Sequence, residues 1–441
     1  MKTETEMRRE VMRASIGVLG PVEAERFPAT VSFQASSVRG GALLTVTGAV
    51  PVDFGGNDKV FNVSEKHVLP AMPGWGSGNE SEREMATYAI WNNKGGVGKS
   101  YLTFQLAAEY ARQNRDKKIL VIDLCPQANS SSMLLGGMFK GEARLNRIHE
   151  TNPRRTISGY MEERISSPYQ SPNSGAQYPT RVSDFNEMIP DNLYLLVGDE
   201  LLEIQSSRVH GATHPGPDEA WRIVHLWVMD LITDIQRSWN QEETCVFIDC
   251  NPSFTIYTEL ALTAADRLLI PFSADGSSQR AVRTVLSLIY GMQRREGERQ
   301  SEFFLNSNKY RISLPGIYMY IGNRLTQMNR SSASAFKTIV NEIGEEIWRA
   351  WQSNFALFSI HSNGESDRGN STPNNQSAFR KMFQYEVNDA NTASVVSSAL
   401  GIPIARLTPG LIEVAGRKIR VNESQLHKQI PNVEELVRNI E

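Results

Sequence analysis

The chain has 441 residues, of which 40% are hydrophobic and 22% are charged, and its formal net charge is −3. This composition is typical of a globular protein and argues against a disordered chain. A near-neutral chain has no overall basic field, so any contact with nucleic acid must come from a local patch. No apolar run reaches the roughly 18 residues of a membrane-spanning helix, and the first residues lack the apolar stretch of a signal peptide.

The three cysteines, Cys125, Cys245 and Cys250, have no spacing typical of a disulfide framework or of a structural zinc site. We therefore expect a reducing environment and a cytoplasmic protein. The length predicts two or three compact units, at about 150 residues for each.

Residues 1–85 differ in pattern from the rest of the chain. Two runs rich in β-branched residues flank a Gly-Gly pair within residues 29–50, which predicts a β-hairpin. Residues 71–84 are rich in Pro, Gly and Ser, as linkers are. We predict a small β-containing N-terminal region, residues 1–85, whose role the sequence does not indicate.

From residue 86 onward, short apolar runs alternate with helical patterns. Such runs suit strands buried on both faces, and the alternation predicts a doubly wound α/β domain with a mostly parallel sheet over residues 86–441. The predicted strands are 86–92, 118–123, 193–198, 244–249, 267–272 and 316–323, and the clearest helical stretch is 220–239. Two insertions are expected. Residues 137–165 are predicted as a long, basic-leaning connection, and the polar residues 361–377 as a mobile loop.

The stretch NNKGGVGKS, residues 92–100, follows the first of these strands and precedes a helix. Glycines in such a loop let backbone N–H groups surround phosphate oxygens, and the helix N-terminus favours negative charge. Lys99 would reach the β- and γ-phosphates, and the Ser100 hydroxyl would bind Mg²⁺. The residues expected to bind the nucleotide here are Gly95, Gly96, Val97, Gly98, Lys99, Ser100 and the adjacent Tyr101. A tight strand-to-helix turn without a ligand is the simpler alternative.

Asp249 follows four apolar residues at the end of the predicted strand 244–249. Ligands of open α/β sheets bind at the carboxyl ends of the strands. The position predicts a Walker B aspartate that holds Mg²⁺ through water, and the alternative is an aspartate that caps the strand end.

These motifs resemble those of the ParA/MinD family of ATPases. NNKGGVGKS looks like the family's deviant Walker A pattern KGGxGK[ST]. Residues 121–135, VIDLCPQANSSSMLL, resemble its DxDPQGN motif, and FIDCNPS, residues 247–253, resembles its Walker B. The resemblance covers roughly residues 86–441 and leaves residues 1–85 outside. It implies ATP and Mg²⁺ as ligands, with Asp123, Asp249 and Ser100 holding the metal.

The resemblance also gives a meaning to Lys94, five residues before the phosphate-binding Lys99. Lys94 is similar to the family's signature lysine, which reaches the phosphates of the partner subunit in a nucleotide-sandwich homodimer. Dimerisation would then report the nucleotide state, as a switch requires. The alternative is a solvated lysine beside a loop.

One departure from the family pattern concerns catalysis. The second aspartate of DxDPQ, associated with positioning the attacking water, is Cys125 here. A thiol is a poor substitute for a carboxylate that accepts a hydrogen bond from water. We expect slow or partner-stimulated hydrolysis, unless Gln127 or Asp275 positions the attacking water instead.

Asn323, at the end of the last predicted strand, matches the position where relatives use an asparagine against the adenine edge. A turn residue that closes the strand is an equal alternative.

Partners are less well specified. The resemblance implies non-specific DNA binding, and three short basic stretches are candidates for it: 152–156, 294–299 and 416–420. Each is more readily explained as solvated surface. The apolar face of residues 432–441, made by Val433, Leu436, Val437 and Ile440, carries an acidic polar side, which favours a packed terminal helix over a membrane anchor.

Two functions follow. In the first, the protein is a ParA-type, ATP-dependent dimerising switch that partitions DNA or another cargo with a partner protein. In the second, it is a regulatory or signalling ATPase whose ATP-held dimer docks an effector through residues 1–85. A metabolic ligase would need a substrate pocket that the sequence does not reveal.

Overall fold

The computed structural model describes residues 31–38, 41–53, 58–70, 86–214, 216–273, 276–293, 297–323, 333–361, 372–388 and 391–440. The chain divides into two compact units, Met1–Trp75 and Gly76–Glu441. The linker predicted at 71–84 lies outside the described residues.

The first unit contains a three-stranded antiparallel sheet, with β1 Val31–Val38, β2 Gly41–Asp53 and β3 Asp58–Pro70 in that order. Strands β1 and β2 pair up to Val38 opposite Gly41, so the predicted hairpin is confirmed. The third strand was not predicted, because charged residues interrupt its apolar alternation.

The second unit is built on an eight-stranded sheet in the order β11-β10-β9-β4-β8-β5-β7-β6. All neighbouring strands are parallel except the short edge strand β6. The strands are β4 Ala86–Ile90, β5 Lys118–Asp123, β6 Thr180–Arg181, β7 Leu193–Leu196, β8 Thr244–Asp249, β9 Arg267–Phe272, β10 Gly316–Asn323 and β11 Gln384–Val387. The predicted doubly wound, mostly parallel fold is confirmed.

The α-helices of this unit are α1 Lys99–Gln113, α2 Asn129–Leu134, α3 Gly137–His149, α4 Ile157–Ser166, α5 Leu201–Gly211, α6 Ala220–His225, α7 Trp227–Ser238, α8 Ile256–Ala264, α9 Ser278–Tyr290, α10 Glu302–Lys309, α11 Ala333–Ser353, α12 Gln376–Phe383, α13 Asn391–Leu400 and α14 Glu423–Arg438. Short 3-10 turns occupy Gly175–Gln177, Val182–Asp184, Phe355–Leu357 and Ile404–Arg406. A two-stranded hairpin, β12 Gly410–Val414 and β13 Arg417–Val421, precedes α14.

Successive residues of the central strands face two separate apolar cores. In β8, Val246 and Ile248 join one core, whereas Cys245 and Phe247 join the other. A sheet covered by helices on both faces requires apolar residues at every strand position. This explains why the strands appear in the sequence as continuous apolar runs.

Two segments differ from their prediction. Residues 137–165 were predicted only as a long, basic-leaning connection, and the structure shows that this connection contains α3 and most of α4. The predicted helical stretch 220–239 is two helices, α6 and α7, that meet at Leu226. The predicted loop 361–377 lies mostly outside the described residues, and α12 begins at its end.

The C-terminal helix packs as expected. Val433, Leu436 and Val437 of this helix and Ile440 just after it are all buried. Leu436, Val437 and Ile440 belong to the core that contains Phe247. Arg112 of α1 forms an ion pair with Glu434 of α14 at 2.7 Å. Among the residues that the structure describes, no helix has the length and apolar character needed to cross a membrane.

Candidate nucleotide-binding site

The phosphate loop connects β4 to α1 and lies at the carboxyl end of the sheet. Gly96 and Gly98 have φ of 74° and 79°, a left-handed conformation that favours glycine. Gly98, the N-cap residue of α1, provides no side-chain cap, and the first turn of the helix carries no acidic residue. The first backbone N–H groups of the helix therefore face the loop, and no acidic side chain of the first turn competes for them. Helix N-termini of this kind bind phosphate.

Lys99 lies under this loop. Its side chain is only 6% exposed, and its ammonium donates to the backbone oxygens of Asn92 at 3.2 Å and Lys94 at 2.9 Å. Burial lowers the pKa of Lys99, and the nearby Asp249 carboxylate opposes this effect. Asn92 was missed by the sequence analysis because its role is played by its backbone carbonyl.

Two carboxylates meet at the ends of β5 and β8, where Asp123 and Asp249 stand opposite each other in register. Both side chains are fully buried. Burial raises the pKa of Asp249 to about 7, with a further contribution from the charge of Asp123. Burial also raises the pKa of Asp123, although hydrogen bonds from Ser131 and Cys125 counteract it.

The hydrogen bonding of the two aspartates differs. Asp123 accepts bonds from the backbone nitrogens of Cys125 and Ser131 and from the Ser131 hydroxyl. Neither carboxylate oxygen of Asp249 has a hydrogen-bond partner of ordinary geometry among the described residues. An aspartate that caps a strand end would accept backbone N–H bonds, so the capping alternative is not supported. A buried carboxylate without a partner is destabilising unless a cation neutralises it.

This arrangement fits Mg²⁺. In the described part of the chain, no three His, Cys, Asp or Glu side chains converge into a group able to hold a metal. Mg²⁺ bound with a nucleotide needs only one or two protein carboxylates, because phosphate and water oxygens complete its octahedron. The hard oxygens of Asp249, Asp123 and Ser100 suit this ion.

A cleft of about 410 Å³ opens over the loop. It is lined by Gly96, Gly98, Lys99, Ser100, Tyr101, Cys125, Gln127, Asn129, Ser132, Met133, Met138, Glu142, Cys250, Pro252, Ser398 and Ala399. Helix α3, which the sequence analysis did not predict, contributes Met138 and Glu142 to its wall. The Tyr101 side chain is 5% exposed and belongs to the core, so a nucleotide contact would come mainly from its backbone.

Lys94 is partly buried and contacts its own chain. Its ammonium donates to the hydroxyls of Ser273 at 3.1 Å and Ser278 at 3.4 Å. Ser273 follows β9, the neighbour of the loop strand β4, and Ser278 begins α9. Lys94 is therefore not simply a solvated lysine.

Asn323 is fully buried, and its side-chain amide donates to the Val97 oxygen at 2.9 Å and to the Gly98 oxygen at 3.4 Å. The residue therefore braces the phosphate loop. Contact with an adenine remains a prediction.

Cys125 lines the cleft and is 6% exposed. Burial, together with the charges of Asp123 and Asp249, raises the pKa of its thiol to about 12. Gln127, one candidate to replace the missing carboxylate, is exposed on the same cleft and accepts a hydrogen bond from Asn129. Asp275, the other candidate, lies outside the described residues.

The basic stretches are not equally available. Arg154 is held by Asp199 in a two-point ion pair, whereas the adjacent Arg155 is exposed. On β13, Arg417, Lys418 and Arg420 are exposed. Residues 294–296 lie outside the described residues.

Comparisons with known proteins show what this chain is similar to. Residues 85–301 match the sequence model of an AAA domain, AAA_31. The virulence plasmid ParA family protein pGP5-D of Chlamydia psittaci is 28% identical over 199 residues, which are 44% of this chain and 60% of that protein. The chain is thus similar in sequence to an AAA domain over residues 85–301 and to a ParA family protein. The chain thus spans about 60% of the length of the curated relative that it matches.

Two solved structures are similar to this chain at low sequence identity. The ATP complex of a McdA variant from Cyanothece has 16% identity and a TM-score of 0.47, covering 80% of this chain and 95% of that chain. The ParA of pNOB8 bound to nonspecific DNA has 14% identity and a TM-score of 0.43, covering 80% of this chain and 98% of that chain.

Proposed function

We propose that the protein is an ATP-dependent dimerising switch with slow or partner-stimulated hydrolysis. The observation that carries this proposal is the buried Asp249, which accepts no hydrogen bond of ordinary geometry from the described residues. It stands beside a phosphate loop whose helix has no side-chain cap at Gly98. A bound cation would neutralise the Asp249 carboxylate, and bound phosphates would accept hydrogen bonds from the first amides of α1. The ParA-like motifs imply Mg²⁺·ATP, which supplies both the cation and the phosphates.

Each residue of the site has a role in this proposal. The backbone of residues 95–100 binds the β- and γ-phosphates, and Lys99 offsets their charge from below. Ser100, Asp123 and Asp249 hold the Mg²⁺, which neutralises charge on the phosphate oxygens. Asn323 keeps the loop in the conformation that binds.

Lys94 makes the nucleotide part of a homodimer interface in this account. It leaves the two serines of its own chain and reaches the phosphates of the partner subunit. ATP and ADP then differ in how well they hold the dimer, and this difference is what a switch requires.

The thiol of Cys125 makes the hydrolytic step slow. A group with a pKa of about 12 is protonated at neutral pH and cannot take a proton from water. The ATP-bound dimer is therefore long-lived, and a partner protein sets its lifetime.

We infer partitioning of DNA or another cargo as the biological use, supported by the similarity to a plasmid ParA family protein. The exposed cations of β13 are the candidate contacts with the DNA backbone. An effector-docking function is favoured by a different observation. The N-terminal sheet is a separate compact unit, and it lies outside the matched residues 85–301.

The proposal is tested with two lysine variants. Lys99→Ala should lose ATP binding, whereas Lys94→Ala should bind ATP at near-normal affinity and remain a monomer. Dimer formation by Lys94→Ala would contradict the proposal. An ATP-dependent, salt-sensitive shift of random-sequence DNA would support partitioning, and capture of one protein that is lost on deleting residues 1–85 would support effector docking.

A further inference from the structure

The carboxylate of Asp123 is held in place by a hydroxyl that the sequence analysis did not single out. Ser131, in the short helix α2, donates to Asp123 Oδ2 from its backbone nitrogen at 3.0 Å and from its Oγ at 2.7 Å. The opposite oxygen, Oδ1, accepts from the Cys125 nitrogen at 3.1 Å. Both oxygens are therefore fixed in direction.

The Ser131 hydroxyl has its orientation set by a second contact. The backbone nitrogen of Gly198 lies 2.9 Å from Ser131 Oγ, and an N–H group can only donate. The hydroxyl accepts this bond, so its single proton is directed at Asp123. The Ser131 hydroxyl therefore has one fixed orientation, in which it donates its proton to the Asp123 carboxylate.

Gly198 also touches Asp123 directly. A Cβ at this position would lie 2.8 Å from Cγ and 2.9 Å from Oδ2 of Asp123, and 3.0 Å from Cβ of Ala128. The φ of Gly198 lies outside the left-handed region, so an alanine would meet no backbone strain there. Glycine is needed because the carboxylate occupies the space that a side chain would take.

The peptide that carries Gly198 is anchored on both sides. Its carbonyl oxygen accepts from Nε2 of His149, at the end of α3, at 2.9 Å. The next residue, Asp199, is fully buried and accepts from Arg154 at 2.5 and 2.8 Å and from Thr156 at 2.5 Å. The donor to Ser131 is therefore part of a rigid connection between α3, α4 and β7.

We propose that Ser131 and Gly198 are positioning residues that hold the Asp123 carboxylate toward the magnesium ion. Asp123 and Asp249 are adjacent like charges on neighbouring strands, so Asp123 would turn away from Asp249 without its fixed donors. This inference rests on the proposed function, because it takes Asp123 as part of the Mg²⁺ shell.

The test is a Mg²⁺ titration of the binding of a fluorescent ATP analogue, a readout that does not require hydrolysis. Ser131→Ala should raise the Mg²⁺ concentration at half-saturation by about 10-fold or more, as is usual when a ligand's hydrogen-bond partner is lost. Ser131→Thr, which keeps the hydroxyl, should stay near the unmodified protein. Gly198→Ala should raise the Mg²⁺ concentration at half-saturation at least as much as Ser131→Ala does, because the added methyl group displaces the Asp123 carboxylate.

Matched controls separate positioning from a general loss of packing. Ser307→Ala removes a buried hydroxyl that has no hydrogen-bond partner in the described residues, and Gly211→Ala adds a methyl where nothing lies within 4 Å. Both should leave the Mg²⁺ half-saturation unchanged. If Gly198→Ala fails to fold, the comparison of Ser131→Ala with Ser131→Thr decides.

A half-saturation within twofold of the unmodified protein in folded Ser131→Ala would overturn the positioning role. An unmodified protein that binds the analogue with no Mg²⁺ dependence would instead overturn the proposed function, and this inference with it. The two failures are therefore distinguishable.

Discussion

The ammonium of Lys94 lies 3.1 Å from the hydroxyl of Ser273, across the gap between the phosphate loop and the end of the neighbouring strand β9. Ser278 provides a second acceptor at 3.4 Å. The lysine that is proposed to act on the partner subunit is thus engaged by its own chain. In the proposed dimer, Lys94 must break these hydrogen bonds to reach the partner subunit, so the bonds would oppose dimerisation.

Removing the two hydroxyls should make dimerisation easier. In the double variant Ser273→Ala/Ser278→Ala, we expect the ATP concentration at half-maximal dimer formation to fall about fivefold, because a net hydrogen-bond contribution of about 1 kcal/mol is lost from the monomer. Light scattering across an ATP titration measures this midpoint. An unchanged or higher midpoint would show that the serines do not restrain Lys94.

Asp249→Asn should stabilise the protein in the absence of nucleotide and abolish its response to Mg²⁺·ATP. The pKa of Asp249 is raised to about 7, above the value of about 4 in an unfolded chain. For an acid with a raised pKa, the destabilisation develops as the pH rises from about 4 to about 7 and is complete above that. Asparagine carries no such charge.

Asp249→Asn should raise the free energy of unfolding by on the order of a few kcal/mol at pH 8, and this increase should shrink toward zero near pH 4. Chemical denaturation at the two pH values, without Mg²⁺ and nucleotide, measures it. Equal stability of the two proteins at pH 8 would mean that Asp249 is already neutralised within the chain.

Cys125→Asp should accelerate ATP hydrolysis. It restores a carboxylate at a position that lines the cleft, and a positioned general base typically contributes at least about 100-fold. Crowding with Asp123 and Asp249 will reduce the gain, so we expect about 10-fold in kcat. Phosphate release under single-turnover conditions measures it, with Cys125→Ser as a control that should stay slow. An unchanged rate in Cys125→Asp would mean that another residue positions the attacking water.

Asn323→Ala distinguishes bracing of the loop from recognition of the base. If its amide acts through the Val97 oxygen, loss of the bond should weaken ATP, GTP and inorganic triphosphate equally, by about 5-fold. If it contacts adenine, only ATP should weaken and the preference over GTP should fall. Competition binding with the three ligands gives the answer, and the structure favours the first result.

Much of the site could be predicted because it is local in sequence. The phosphate loop is one continuous stretch, and Asp123 and Asp249 each end an apolar run at the same edge of a parallel sheet. What could not be predicted depends on contacts between distant segments. Lys94 and Ser273 are 179 residues apart, and Asn323 and Val97 are 226 apart.

Helix α3 was missed for a related reason. Gly137 and Gly141 weaken its helical pattern, since glycine is a poor helix former. The structure shows why they are there. A Cβ on Gly141 would lie 2.0 Å from the Ser132 oxygen, and one on Gly137 would lie 2.3 Å from the Ala399 oxygen. Close packing against α2 and α13 overrides propensity at both positions.

In the proposed switch, ATP holds two copies of the chain together through Lys94. Its most direct test is the solution mass by light scattering, followed over hours after adding Mg²⁺ and ATP, with ADP and the Lys94→Ala variant as controls. We expect a dimer with ATP that decays slowly, and monomers in both controls. A protein that binds ATP but stays monomeric, or a Lys94→Ala variant that dimerises as well as the unmodified chain, would contradict it.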